Sequence, residues 1–208
     1  QTTQQKKNIT KQDVKKIIEY FEKDREYLVM EYIEGMTLQE LLDKGHSFGK
    51  KEIVFIMKKI LEGLDYLHKH TPALIYRDLK PANIIVSPNG RIRMVDLGTV
   101  QMEQEKGDTR AGTYGYAAPE QFWQGMKLTR ACDIYAAGKL FAYLLTGKNP
   151  AEPPYDIENY CKGLRGMHPA YREIVKRCLA VEPQGRFEDC ESLMIQLRRA
   201  YDEDSMKK

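Results

Sequence analysis

Cysteine is scarce, and its spacing carries no metal motif. The four cysteines, Cys132, Cys161, Cys178 and Cys190, never form a C-x-x-C pair, which argues against a zinc ribbon or a disulfide framework. They read as reduced thiols of a cytoplasmic protein. No apolar run is long enough to span a bilayer. The best one, IYAAGKLFAYLL at 134–145, is short and interrupted by Lys139, so a core helix is expected there. A net charge of +3 with no basic stripe speaks against nucleic acid as a partner. The chain does not begin with Met, and its first segment, QTTQQKKNITKQD, has no apolar signal region. We expect residues 1–13 to be a polar, flexible segment that follows a cut inside a longer protein.

What is present suits a soluble globular protein. Hydrophobic residues make up 42% and charged ones 30%, and 208 residues can bury a sizeable core as one large domain or a domain plus a fragment. VKKIIEY (14–20) and YLVMEYI (27–33) are rich in β-branched and aromatic residues and flank a polar EKDRE, which predicts a hairpin. Thr37 is a candidate N-cap for a short helix in TLQELLDK. In KEIVFIMKKILEGLDYLHKH (51–70), Ile53, Ile56, Ile60, Leu64 and Leu67 recur at three- and four-residue steps, the mark of an amphipathic helix. NIIV (83–86) and RIRMV (91–95) predict a second small hairpin across Ser87-Pro88-Asn89-Gly90. Residues 96–120 lack a clear period and read as a long functional loop. Helices are expected over 131–145, 170–180 and 189–201.

The chemistry concentrates in IYRDLKPANIIV (75–86). Asp78, Lys80 and Asn83 share one loop between a helix and a strand, and Asp96 follows just past another strand. Phosphoryl transfer needs oxygen ligands for Mg²⁺, a cation against the phosphates and a base facing the incoming hydroxyl. These four side chains supply most of that set. Taken singly, Asp78 reads as a turn residue, and Lys80 and Asn83 as a solvated loop. As an ordered set they do not.

In sequence, RDLKPAN (77–83), VDLG (95–98) and AAPEQ (117–121) resemble the catalytic loop, the metal-binding D-F-G and the A-P-E motif of protein kinases. The Lys two residues after Asp78, with GTYGYAAPE further on, resembles the serine/threonine type, in a bacterial style. The resemblance runs from about Val14 to Tyr201. It implies an α+β, protein-kinase-like chain: a β-hairpin remnant of the N-terminal lobe with the hinge over 14–33, then a mainly helical C-terminal lobe over 34–204. It further implies ATP and Mg²⁺ as cofactors and a protein Ser/Thr hydroxyl as acceptor.

Carried over residue by residue, the resemblance makes Asp78 the base and puts Lys80 against the γ-phosphate, with Asn83 and Asp96 on Mg²⁺. Met30 resembles the gatekeeper. Glu31-Tyr32-Ile33 would meet adenine through the backbone, and Ile85 would floor the ring. Arg77 would pair with a phosphate on the following segment, with Thr109 as the phosphosite and Thr113 near the substrate hydroxyl. Glu120 and Arg186 resemble the family's buried ion pair, and Asp133 the helix carboxylate that fastens the catalytic loop. Tyr76 stands where the family has His, and Leu97 where it has Phe; both changes are expected to be tolerated. Tyr114, Tyr116 and Trp123 are expected to pack rather than touch substrate, and no chemistry is expected of His68 or His70.

Within these residues the first glycine is Gly35 and the first Glu is Glu19. The family's Gly-rich loop, strand Lys and helix Glu are therefore not matched, and VKKIIEYFE resembles the family's fourth strand. The expectation is a serine/threonine kinase chain with weak or no turnover alone, its small lobe completed by another segment or a partner. The alternative is a kinase-derived binding module or scaffold without catalysis. A small-molecule phosphotransferase fits less well, since those enzymes have His rather than Lys after the catalytic Asp.

Overall fold

A computed structural model describes residues 17–22, 26–30, 32–103, 112–123, 125–152 and 162–206, with the backbone alone over 17–30. The first hairpin is formed by β1 (Ile17–Glu22) and β2 (Glu26–Met30), antiparallel with Ile17 opposite Met30 and a bulge between Ile17 and Glu19. A three-stranded sheet follows, in the order β3 (Met36–Thr37), β5 (Ile84–Val86), β6 (Ile92–Met94). Its β5–β6 arm is the hairpin expected from the Ser-Pro-Asn-Gly turn. β3 was not expected: a two-residue strand has no period to read. A second short pair joins β4 (Leu74–Ile75) to β7 (Gln101–Met102). It binds the start of the Asp78 loop to the segment after Asp96.

The helices take their places from simple causes. Thr37 caps α1 (Leu38–Asp43) in a reciprocal box, its hydroxyl accepting from Glu40 N while the Glu40 carboxylate accepts from Thr37 N. In α2 (Lys50–His68) the stripe read from the sequence is the buried face, and Met57 and Leu61 join it. Burying each such side chain contributes about 1.5–3 kcal/mol, far above what helix propensity supplies.

α3 (Ala131–Thr146) is buried from Cys132 to Leu145. A helix buried on nearly every side belongs inside the core, and α2 packs directly against α3. Gly138 lets α4 (Pro169–Cys178) approach, because a Cβ there would collide with Cys178. α5 (Cys190–Ser205) is capped by Asp189, which accepts from Ser192 N at 2.7 Å, and packs on α2. Cys132, Cys178 and Cys190 are free and buried. Burial raises all three thiols, Cys178 to about 12, so they act as small apolar side chains. Cys161 lies outside the described residues. No helix among them is long and apolar enough to cross a membrane.

Candidate active site

The loop from Tyr76 to Asn83 is fixed from its anchoring side by α3. Asp133, fully buried in the first turn of that helix, accepts from Arg77 N with Oδ1 and from Tyr76 N with Oδ2, each at 2.8 Å. His68, at the end of α2, closes on Asp133 Oδ2 at 2.8 Å, and its other ring nitrogen meets Cys190 Sγ at 3.5 Å. Arg77 itself has φ +72, a region costly for a non-glycine residue, by about 1–3 kcal/mol, unless its surroundings fix it. Here they do: its N–H is held by Asp133, and its carbonyl accepts from Gln121 Nε2 at 2.9 Å. Tyr76 is buried and its hydroxyl donates to Val95 O, so its phenol is pushed well above its usual pKa by burial. The bond gives the Tyr76 hydroxyl a partner at the position where the resembled family has His.

On the other side of the loop Asp78, Lys80 and Thr113 form a closed triangle. Thr113 Oγ1 donates to Asp78 Oδ1 at 2.7 Å, Lys80 Nζ reaches Asp78 Oδ2 at 2.8 Å, and Lys80 Nζ donates to Thr113 Oγ1 at 2.8 Å. Asn83 Nδ2 adds bonds to Asp78 O at 2.9 Å and to Oδ2 at 3.1 Å. Burial opposes the charge on Asp78, but hydrogen bonds from Lys80 and Thr113, the Lys80 charge and the Asn83 amide outweigh it. The carboxyl is held below its ordinary range, and at neutral pH it is an ionised acceptor.

Asp96 follows β6 at φ +63, a left-handed conformation that Asp tolerates better than most residues. It is exposed, and Oδ1 accepts from Gly98 N at 3.1 Å. Asn83 and Asp96 are hard oxygen donors, and the Asn83 amide nitrogen is already engaged by Asp78, leaving its oxygen for a cation. This donor set fits Mg²⁺ shared with phosphates and water. Among the described residues no group of three or more His, Cys, Asp or Glu could hold a metal by itself.

On the hinge side, Ile33 is buried, Ile85 half-buried and Tyr32 exposed. Gly35 brings the chain against β5, where a Cβ would lie 2.5 Å from Val86 O and 2.8 Å from Ile85 Cγ2. Met30 ends β2; its side chain, Glu31 and Thr109 lie outside the described residues.

Arg77 Nη1 donates to Gln101 Oε1 at 2.5 Å, which ties the guanidinium to β7. Burial lowers the Arg77 pKa. Further along, Glu120 and Arg186 meet in a buried two-pronged pair, at 2.5 and 2.9 Å. Arg186 also donates to the carbonyls of Ala180, Ala131 and Val181, and stacks over the Tyr135 ring.

Several residues here have no signal in the sequence. His68 ends α2 as a plain helix-terminal histidine would, and only the fold carries it to Asp133, 65 positions away. Gln101 and Gln121 are neutral amides in loop sequence. Of the three aromatics expected to pack, only Tyr116 is buried, at 4% exposure; Tyr114 and Trp123 stand at 76% and 52%. Tyr114 stacks on the half-buried Phe122 instead of entering the core.

Comparison with known proteins supplies relatives for this arrangement. The family model described as the protein kinase domain matches residues 3–197. Serine/threonine-protein kinase PrkC of Bacillus subtilis is 30% identical over 200 residues, covering 89% of this chain and 30% of that protein. Probable serine/threonine-protein kinase PknB of Lactococcus lactis is 30% identical over 185 residues, covering 82% and 29%. Serine/threonine-protein kinase B of Synechocystis is 30% identical over 214 residues, covering 93% and 36%. The chain thus spans about a third of the length of these curated relatives.

Proposed function

The chain belongs to the protein kinase family, and we propose that it carries the acceptor side of a serine/threonine kinase site, which passes the γ-phosphoryl group of Mg-ATP to a protein hydroxyl. The observation that carries this reading is the Asp78–Lys80–Thr113 triangle with Asn83 bonded to its carboxylate. The acceptor Ser or Thr hydroxyl takes the place beside Asp78. Its oxygen bonds to phosphorus as the bond from phosphorus to the β-bridging oxygen breaks, and its proton passes to an Asp78 oxygen. Lys80, already within reach of Asp78 and Thr113, turns its ammonium to the transferring phosphoryl. Mg²⁺, when held by the Asn83 oxygen and Asp96, neutralises phosphate charge. By the family resemblance, adenine is assigned to Met30, Glu31 and Ile33, with Ile85 as its floor. Arg77 is the docking point for a phosphate on Thr109. Buried free thiols suit a reducing, cytoplasmic setting.

Within these residues no glycine precedes Gly35, so the phosphates have no glycine-rich cover here. The 208-residue chain is therefore expected to turn over weakly unless a further segment or partner completes the small lobe. The alternative is a kinase-derived binding module without catalysis. A thermal-shift titration with Mg²⁺ and ATP separates the two: a rise in Tm that needs both, and falls away in Asp96→Asn, supports the kinase reading. An unchanged Tm at saturating nucleotide overturns it for this chain. Phosphorylation of a generic protein substrate, lost in Asp78→Asn, is the complementary measurement.

A further inference from the structure

α3 begins without a capping side chain at its N-cap. Arg130, in that place, contributes no side-chain acceptor, and Thr129 Oγ1 takes only a long bond from Ala131 N, at 3.4 Å. A helix start leaves N–H groups that need acceptors, and the helix dipole favours a negative charge there. The acceptor comes from another element, 27 positions earlier. Glu103, which follows β7, accepts from Arg130 N with Oε1 at 3.1 Å, and Arg130 Nε lies 3.7 Å from the same oxygen. The Glu103 side chain is only 16% exposed, against 44% for Arg130, so the carboxylate is set into the structure while Arg130 reaches solvent.

The backbone of Glu103 is fixed as well. Its N–H donates to Ala73 O at 2.7 Å, one step beyond the β4–β7 pair in which Leu74 faces Met102 and Ile75 faces Gln101. β4 runs directly into Tyr76 and Arg77, whose N–H groups donate to Asp133 in the first turn of α3. The bonds therefore close a ring. They run from the Glu103 carboxylate to the start of α3, through Asp133 to the Asp78 loop, and back along β4 to the Glu103 N–H. Gln101, two residues earlier, accepts from Arg77 Nη1 at 2.5 Å. The segment after Asp96 thus grips both the loop and the helix that anchors it.

We propose that Glu103 is a positioning residue for phosphoryl transfer: it locks the start of α3 to the end of β7 and so holds Asp133, and through it the Asp78 loop, in place. The effect on transfer rests on the kinase reading above; the coupling is made of bonds between these elements and does not. A carboxylate in this position does what a local cap cannot. A cap supplied by Thr129 or Arg130 would finish the helix and leave β7 free to shift against it. Glu103 satisfies the helix and fixes its register to β7 with the same oxygen. Without that side chain the body of α3 keeps its place, because Cys132 to Leu145 stay buried. The slack is confined to the first turn, where Asp133 sits.

Amide hydrogen exchange on the 208-residue chain, read beside transfer to a generic protein substrate with Mg²⁺ and ATP, tests this. In Glu103→Ala the Tyr76 and Arg77 amides are expected to exchange about tenfold faster, the scale of one hydrogen bond to a charged acceptor. Amides in the middle of α2 keep their wild-type protection. Glu103→Gln, which keeps an acceptor oxygen, recovers most of the loss. Transfer falls about tenfold in kcat in Glu103→Ala, at unchanged KM for the protein substrate, and falls less in Glu103→Gln. Adding Thr129→Asp to Glu103→Ala gives α3 a cap of its own and raises Tm, without restoring slow exchange at Tyr76 and Arg77. Unchanged exchange at those two amides, equal acceleration throughout α2, or loss of the folded state in Glu103→Ala would overturn the proposal. So would full recovery with Thr129→Asp, which would make Glu103 a helix cap and nothing more. Wild-type transfer left untouched by Glu103→Ala would overturn it while the kinase reading stands. The expected exchange pattern with no transfer by any of these proteins would sink that reading and leave the coupling in place.

Discussion

The anchoring side of the Asp78 loop and its open side both hold carboxylates, in opposite circumstances. Asp133 has both oxygens occupied by buried donors: two backbone N–H groups and the His68 ring. Glu120 is likewise filled by Arg186 and the Cys132 thiol. Across the loop Asp96 is exposed and accepts from Gly98 N, while Asp78 takes its bonds from the side chains of Thr113, Lys80 and Asn83. Carboxylates saturated by fixed, buried donors hold the backbone in place. Those whose oxygens are open, or bonded to side chains that can turn away, remain able to meet a ligand. Whether the donors are fixed or free to turn away, more than residue type, separates the two roles; Asp78, buried at 8% exposure but bonded to side chains, stands between them.

The sharpest way to break this division is to remove one partner of the buried pair. Arg186→Met leaves the Glu120 charge buried without its counter-ion, and the expected loss is about 3–5 kcal/mol. Denaturant unfolding should show the midpoint falling with little change in slope. A loss below about 1 kcal/mol, the range of exposed pairs, would mean that the pair is not the fixed anchor its burial indicates.

Asp133→Asn comes next. It keeps the shape but replaces one accepting oxygen with a donor that faces N–H groups, and a lost hydrogen bond to a charged acceptor costs about 1.5–3 kcal/mol. Stability and phosphoryl transfer should fall together, because the same bonds hold the Asp78 loop in place. Restored stability at lower temperature without restored transfer would show that the loop had shifted rather than melted.

Asp96→Asn should behave in the opposite way. With an exposed side chain accepting from one backbone N–H, its effect on unfolding is expected to stay within about 1 kcal/mol. Its effect on the Mg²⁺-dependent nucleotide shift should be total. A destabilisation equal to that of Asp133→Asn would erase the distinction between the two sides.

This division also marks how far the sequence can be read. The amphipathic stripe of α2, the buried α3 and the Thr37 cap were legible because each is a local pattern that burial or capping enforces. The grouping of Asp78, Lys80 and Asn83 was legible because they share one short motif, and the fold joins them by direct bonds; their roles belong to the proposed function. β3 and the β4–β7 pair were not legible, since two-residue strands are set by their partners. Nor were His68 and Gln121, whose bonds to Asp133 and Arg77 span 65 and 44 positions. The exposure of Tyr114 and Trp123 was not legible for a related reason: an aromatic in a loop carries no sign of which way the turn faces.

The smallest effect expected is on pH dependence, and it tests the middle case, Asp78. Its folded pKa lies below the ordinary value because bonds from Lys80, Thr113 and Asn83 outweigh the opposing effect of burial. A carboxyl depressed in the folded state binds fewer protons there than when unfolded, so its contribution to stability is complete above the unfolded value, about pH 4. That contribution is lost as pH falls from there through the folded pKa. Asp78→Asn removes the titration but leaves Asp189, whose cap on α5 also depresses its pKa, so acid-induced loss should persist in the variant and be shallower. The measurement is unfolding free energy between pH 6 and pH 3 for both proteins. Wild type is expected to lose more than Asp78→Asn below about pH 4 and to run parallel to it above pH 5. Parallel curves throughout would mean that the triangle around Asp78 does not persist in solution, and would move Asp78 from the middle of the comparison to the open side with Asp96.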